Sequence, residues 1–321
     1  MQEQERVSAT PPLGPVAVVW GIAGVVLVAI LVTYTRIEPE KLYHVSNRGL
    51  AGGASRALVA LNFPVSILGL AMLPIVVARL MASVASSTTR AAIWATAALA
   101  AVLSLVTGWP GVVDQGDLDA KPINAVPAIG AALTLGLTIA AARVRPPKIA
   151  SPARPRFEPH MRYALLAVIA LLSLPWMFAA LGFYISAVPG PGDVFVSDEF
   201  LPEGATLAAV HYGHHHGFDG AIFAASALIL MPAAVAIPRG ALRHAGIALV
   251  ALMFFYGLMN MLQDLWTEQV IKRGWTGSEF PEVVRPGITP AWGLIVVAGV
   301  LLYLYLARPW RPGLAAQHSP A

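Results

Sequence analysis

Half of the chain's eight histidines fall in one short stretch, His211-Tyr212-Gly213-His214-His215-His216, which runs directly into Gly217-Phe218-Asp219-Gly220. Imidazole nitrogens with a carboxylate are ligands that borderline divalent ions accept when no thiolate is present. At 100° per residue, offsets of three, four and eight return to one side of an α-helix. His211, His214, His215 and Asp219 would then share an arc and could share one ion. His216 falls off that arc and reads as a surface or supporting residue.

A second polar set lies in the next apolar run. Tyr256, Asn260, Gln263, Asp264 and Thr267 occupy one helical face, with Glu268 beside them. Polar groups in an apolar segment are costly to leave facing lipid, so this face should turn toward protein, water or an ion. Two runs joined by a short turn pack as antiparallel neighbours. This sets Asp264 and Glu268 opposite His211 and His215, where either acid could act as general base toward metal-bound water. The chain has no cysteine, which rules out thiolate-ligated zinc, iron–sulfur clusters and disulfides and leaves a divalent transition metal held by nitrogen and oxygen: Zn, Cu, Fe or Mn. A haem variant stays open and would need two axial histidines facing each other across helices. The plainer readings are a histidine turn between Gly213 and Gly217 that binds nothing, and a polar face that only fixes helix packing.

Other chemistries lack their residues. No phosphate-cradling Gly-x-x-x-x-Gly-Lys-Ser/Thr, no Gly-x-Ser-x-Gly and no His-Glu-x-x-His occurs. A single His-x-x-His-His is present, whereas membrane di-iron chemistry needs about eight histidines in several boxes.

The elements that must position these groups are set by hydropathy. With 57% hydrophobic residues, 12% charged residues and a mean hydropathy of +0.68 over 321 residues, the chain is too apolar for a soluble domain. Its continuous apolar runs lack the period-2 alternation of a membrane β-barrel. The class expected is all-α, a polytopic transmembrane bundle of eight spans: 16–35, 57–80, 91–107, 122–142, 161–188, 211–237, 245–266 extending toward 272, and 291–306. Pro64, Pro74, Pro175 and Pro232 are candidate kinks. Residues 1–15 and 309–321 read as tails around a single membrane domain, 16–308.

Basic residues gather in short loops, above all in the connector 143–162, which favours both termini in the cytoplasm and the histidines on the non-cytoplasmic side of a cell membrane such as the bacterial inner membrane. The acidic residues fall mostly on the other side, where they would attract cations. Trp109, Trp266, Trp275 and Trp292 suit an aromatic belt. The pI of 9.5 comes from these loops and implies no nucleic-acid partner; membrane lipid and a membrane protein are the partners expected. These residues support a metal-dependent enzyme acting on a lipid-like or amphipathic substrate. The competing classes are a cation or metal permease, which needs a polar path through the inner halves of the spans, and a non-catalytic subunit or assembly factor packing through its Ala- and Gly-rich helices.

Overall fold

The computed structural model describes residues 10–34, 61–109, 123, 125–144, 159–180, 216–271, 275–281, 283 and 286–308. Among these residues there is no strand, and the long helices are α1 (Gly14–Tyr34), α2 (Ser66–Ser83), α3 (Ser87–Leu105), α4 (Ala125–Arg143), α5 (Pro159–Ala180), α6 (His216–Val235), α7 (Ala241–Trp266) and α8 (Pro290–Ala307). Each forms within one of the apolar runs. Six segments are long and apolar enough to cross a membrane: Leu61–Ser83, Ser87–Gly108, Ala125–Arg143, Gly217–Val235, Ala241–Trp266 and Pro290–Ala307. The described apolar parts of α1 and α5, Gly14–Ala29 and Pro159–Leu174, are shorter. Six of the eight expected spans therefore meet the criterion of length and hydropathy.

Local chemistry accounts for several boundaries. Ser86 caps α3 by accepting from the Thr89 amide, and Thr289 caps α8 by accepting from the Trp292 amide, with Pro290 at the first helical position where its missing N–H costs nothing. Pro64 does not break its segment. It sits in a π-turn, Leu61–Val65, and that wider turn absorbs the amide it lacks before α2 begins. Pro74 and Pro232 lie inside α2 and α6, which run on through them.

Helices α2, α6 and α7 form the inner layer, with 72%, 67% and 56% of their spans buried, against 28%, 33% and 22% for α3, α4 and α8. The outer helices present apolar side chains on their open faces, such as Leu99 and Val102 on α3 and Val297 and Leu301 on α8. That is the pattern of a chain solvated by hydrocarbon. The most extensive pairing is between α6 and α7; α1 and α5 lie against α6, α3 and α4 against α2, and α8 against α7.

Small residues set the closest crossings. A Cβ added at Gly257 of α7 would lie 2.5 Å from the Gly220 carbonyl oxygen and 2.6 Å from the Ala224 nitrogen of α6. On α4, a Cβ at Gly130 would lie 2.5 Å from Ser104 Oγ and 2.9 Å from the Ala100 carbonyl oxygen of α3. With little hydrophobic driving force between helices in lipid, such close approach is what lets dispersion hold them together.

One end of the bundle is tied by long-range hydrogen bonds. Arg79, near the end of α2, donates from Nε to the Ala141 carbonyl of α4 and from Nη1 to the Pro11 carbonyl ahead of α1, each at 3.2 Å. Arg243 donates to the Val235 and Ile237 carbonyls at the α6–α7 turn, and His244 Nδ1 meets the Tyr303 hydroxyl of α8 at 2.9 Å. Arg79, Arg90, Arg143, Arg239, Arg243 and Arg308 all sit at this end, called here the basic end.

Gly257→Ala should lower stability by about 1–3 kcal/mol, because the added methyl meets backbone that cannot rotate away. Gly24→Ala, where nothing lies within 4 Å, should be close to neutral. Unfolding midpoints of the two variants in the same detergent check this.

Candidate functional site

At the end opposite the arginines, the inner helices carry polar groups into an apolar interior. α7 brings Asn260, 1% exposed, and Asp264, 5% exposed, one turn apart on one face. Their burial follows from the α6–α7 crossing. A Cβ on Gly220 would stand 2.6 Å from the Gly257 carbonyl oxygen and 2.9 Å from both Asn260 Cβ and the Met261 nitrogen. Gly220 thus lies over the turn from Gly257 to Met261. The helices run antiparallel, so Asp264, about 6 Å further along α7, is level with the start of α6.

The structure places the expected site residues as follows. Asp219 lies in the first turn of α6 and is partly buried. Asp264 lies on α7 as expected, facing into the protein. The backbone of Glu268 belongs to a π-turn, Thr267–Ile271, that continues α7, so the expected helical extension toward 272 changes pitch at Thr267. His211, His214 and His215 lie outside the described residues, and α6 as described begins at His216. Among the described residues no group of three or more His, Asp or Glu converges to hold a metal ion. Asp219 and Asp264 are brought to the same end of the α6–α7 pair. Position 219 sits 100° around α6 from Gly220, to one side of the line of closest contact with α7.

Asn260 Nδ2 donates to the Tyr256 carbonyl at 2.7 Å, and Asn260 Oδ1 is buried with no hydrogen-bond partner among the described residues. Since a carbonyl only accepts, this contact fixes which amide atom is nitrogen. Other buried polar atoms also lack partners among the described residues: Asn62 Oδ1 in the π-turn before α2, Ser226 Oγ on α6 and Trp292 Nε1 at the start of α8. Asn62 and Trp292 are linked to the crossing by a run of rings. Phe63 packs edge-on against Phe223 at 5.7 Å between centroids, Phe223 meets Tyr256 at 5.6 Å, and Tyr256 meets Trp292 at 5.5 Å. Rings at such spacing add about 0.5–1.5 kcal/mol per pair to their burial. They make a stiff floor beneath the polar end of α7.

Trp292 therefore departs from the expected aromatic belt: it turns inward onto Tyr256, whereas Trp109, Trp266 and Trp275 are exposed. Its position at a helix start could not distinguish the two arrangements. The following chain closes over the end of α7. The Val283 amide donates to Gln263 Oε1 at 3.3 Å, Trp266 Nε1 donates to the Ser278 carbonyl at 2.9 Å, and Val283 is fully buried. Gln263 thus serves as a loop anchor. Sequence patterning assigned it only to a polar face, since a contact 20 residues away has no local signal.

Compared with protein families, curated proteins and solved structures, the chain matches none.

An amide oxygen buried without a donor costs about 1–3 kcal/mol. Asn260→Leu, which removes it while keeping the branched side-chain skeleton, should raise the unfolding midpoint when choline is the only cation present. A lower midpoint would show that the oxygen is already satisfied. Asn260→Asp, which sets a second carboxylate one turn from Asp264, should lower it under the same conditions.

Proposed function

We propose that this membrane protein crosses the bilayer eight times with both termini in the cytoplasm, and that it holds a transition-metal ion at the outer end of α6, where it acts as a metal-dependent enzyme on a lipid-like or amphipathic substrate. The observation that supports the reading is the buried Asp264, level with the first turn of α6 and one turn from an acceptor that has no donor among the described residues. An ionisable group in a membrane segment is retained for a purpose more often than for packing, because leaving it there costs several kcal/mol.

His211, His214, His215 and Asp219 would hold the ion. Glu268 or Asp264 would take a proton from water bound to it, and the ion would supply the Lewis acidity that makes such water acidic near neutral pH. The clustering of the described arginines at the other end of the bundle supports the orientation, since short basic loops stay in the cytoplasm. A site at the outer rim meets headgroups, which is why an amphipathic substrate suits it.

Elemental analysis of the purified protein should find about one equivalent of transition metal, falling below a tenth of that in His211→Ala/His215→Ala. Metal-free wild-type protein after chelator-free purification would sink the proposal. Glu268→Gln should retain the metal while losing at least a hundredfold in any turnover of added phospholipid or acyl-chain substrates.

A further inference from the structure

The polar end of α7 is covered on two flanks that are fastened differently. At 100° per residue, Asn260 stands about 60° from Gly257 on one side and about 60° from Gln263 on the other. The Gly257 flank is closed by α6, whose backbone is in direct contact there. The Gln263 flank is closed by the chain that leads into α8. Trp275 donates its amide to the Val270 carbonyl at 3.2 Å, the Ser278 carbonyl accepts from Trp266 Nε1 at 2.9 Å, and Val283 donates its amide to Gln263 Oε1 at 3.3 Å. These contacts run backwards along α7, from 270 to 266 to 263, three positions on one side of a helix. Residues 275–281 and 283 thus form a strap laid antiparallel on that flank, with Phe280 and Val283 packed against the core.

Helix α8 continues the same cover. Its span is the least buried of the six, and it packs chiefly on α7. Its inner half is pinned: a Cβ added at Gly299 would lie 2.8 Å from Leu252 Cδ2, and the Tyr303 hydroxyl meets His244 Nδ1 at 2.9 Å. At its outer start, Trp292 lies on Tyr256, one turn before Asn260, with ring centroids 5.5 Å apart.

We infer that the strap and the outer half of α8 form a lateral gate, pivoting at Gly299 and latched by Gln263 and Trp266, through which an amphiphile from the surrounding lipid reaches the polar end of α7. The inference rests on the reading of that end as a site for such a substrate. With Asn260 1% and Asp264 5% exposed, neither can meet a substrate while the cover is down. The Gln263 flank is the one that can open, because its latches are single hydrogen bonds, each of modest net strength. Parting α6 from α7 would instead undo a backbone contact packed along both helices. Moving α8 outward costs little, since Leu294, Val297 and Leu301 on its open face already lie in hydrocarbon and lipid replaces the helix contacts it gives up. It also frees Trp292, whose Nε1 is buried without an acceptor among the described residues, to reach the headgroup level that tryptophan favours.

The chain has no cysteine, so one introduced thiol reports on one place. The test uses full-length Asn260→Cys in phosphatidylcholine vesicles, with labelling by N-cyclohexylmaleimide, which enters lipid, and by a sulfonated maleimide, which does not. The lipid-soluble reagent should label faster, and adding Gln263→Ala or Trp266→Phe should raise its rate by about fivefold, the weight of one lost hydrogen bond. Ala78→Cys, buried near the basic end, should show no such rise. A latch variant that leaves the Asn260→Cys rate unchanged, an equal rise at Ala78→Cys, or equal labelling by the sulfonated reagent would each overturn the gate. If Asn260→Cys does not fold, hydrogen exchange decides. Amides of the strap should then exchange about tenfold faster than those of 245–262, and faster again in Gln263→Ala with α6 unchanged; a strap as protected as α7 overturns the gate. Metal content is measured separately. Metal-free protein that keeps latch-dependent labelling removes the enzymatic reading and retains the gate.

Discussion

The contact between the backbones of α6 and α7 at Gly220 and Gly257 is the constraint on which the rest of the structure turns. In hydrocarbon two helices gain little from hiding apolar area from each other, and their association depends on how closely atoms can approach. Here neither position has room for a methyl group. That proximity seals Asn260 and Asp264 inside, brings Phe223 onto Tyr256, and fixes which residue of α6 stands level with which residue of α7. Shifting the pair by one residue would carry the polar face of α7 out toward lipid, where each unsatisfied group costs several kcal/mol.

Buried polarity is distributed unevenly around that contact. At the basic end, long side chains reach back to main-chain carbonyls, as Arg79 and Arg243 do, so their donors are used. Short side chains, among them Thr10 beside that end, Ser226 midway along α6, and Asn62 and Asn260 toward the opposite end, present oxygens that no described group meets. The first arrangement holds helices together. The second lowers stability unless something else supplies the missing partner, and such deficits concentrate where proteins bind and react.

Much of the architecture was legible in the sequence because hydropathy is a property of contiguous residues. The apolar runs around Ala241–Trp266 and Pro290–Ala307 yield helices within a few residues of expectation, and the pairing of α6 with α7 follows from their short connection. The inward direction of Asn260 and Asp264 was also readable, because polar residues four apart in an apolar segment have only one tolerable side. What patterning missed depends on contacts distant in sequence. The π-turn at Pro64 has no sequence signal beyond the proline itself, and Trp292, which suited an interfacial belt, packs on Tyr256, 36 positions away by number. The arc drawn through His211, His214, His215 and Asp219 lies mostly outside the described residues, since α6 as described starts at His216.

Arg79 has a consequence for how the molecule is made. Its guanidinium joins the Pro11 carbonyl, 68 positions earlier, to the Ala141 carbonyl, 62 positions later. During synthesis the leading helix emerges well before the fourth, so for much of translation this three-way joint has no third member. Lateral assembly of the first four helices in the lipid must therefore finish after their insertion, and a ribosome paused shortly before residue 141 would hold a nascent chain whose amino-terminal segment is threaded but not yet locked.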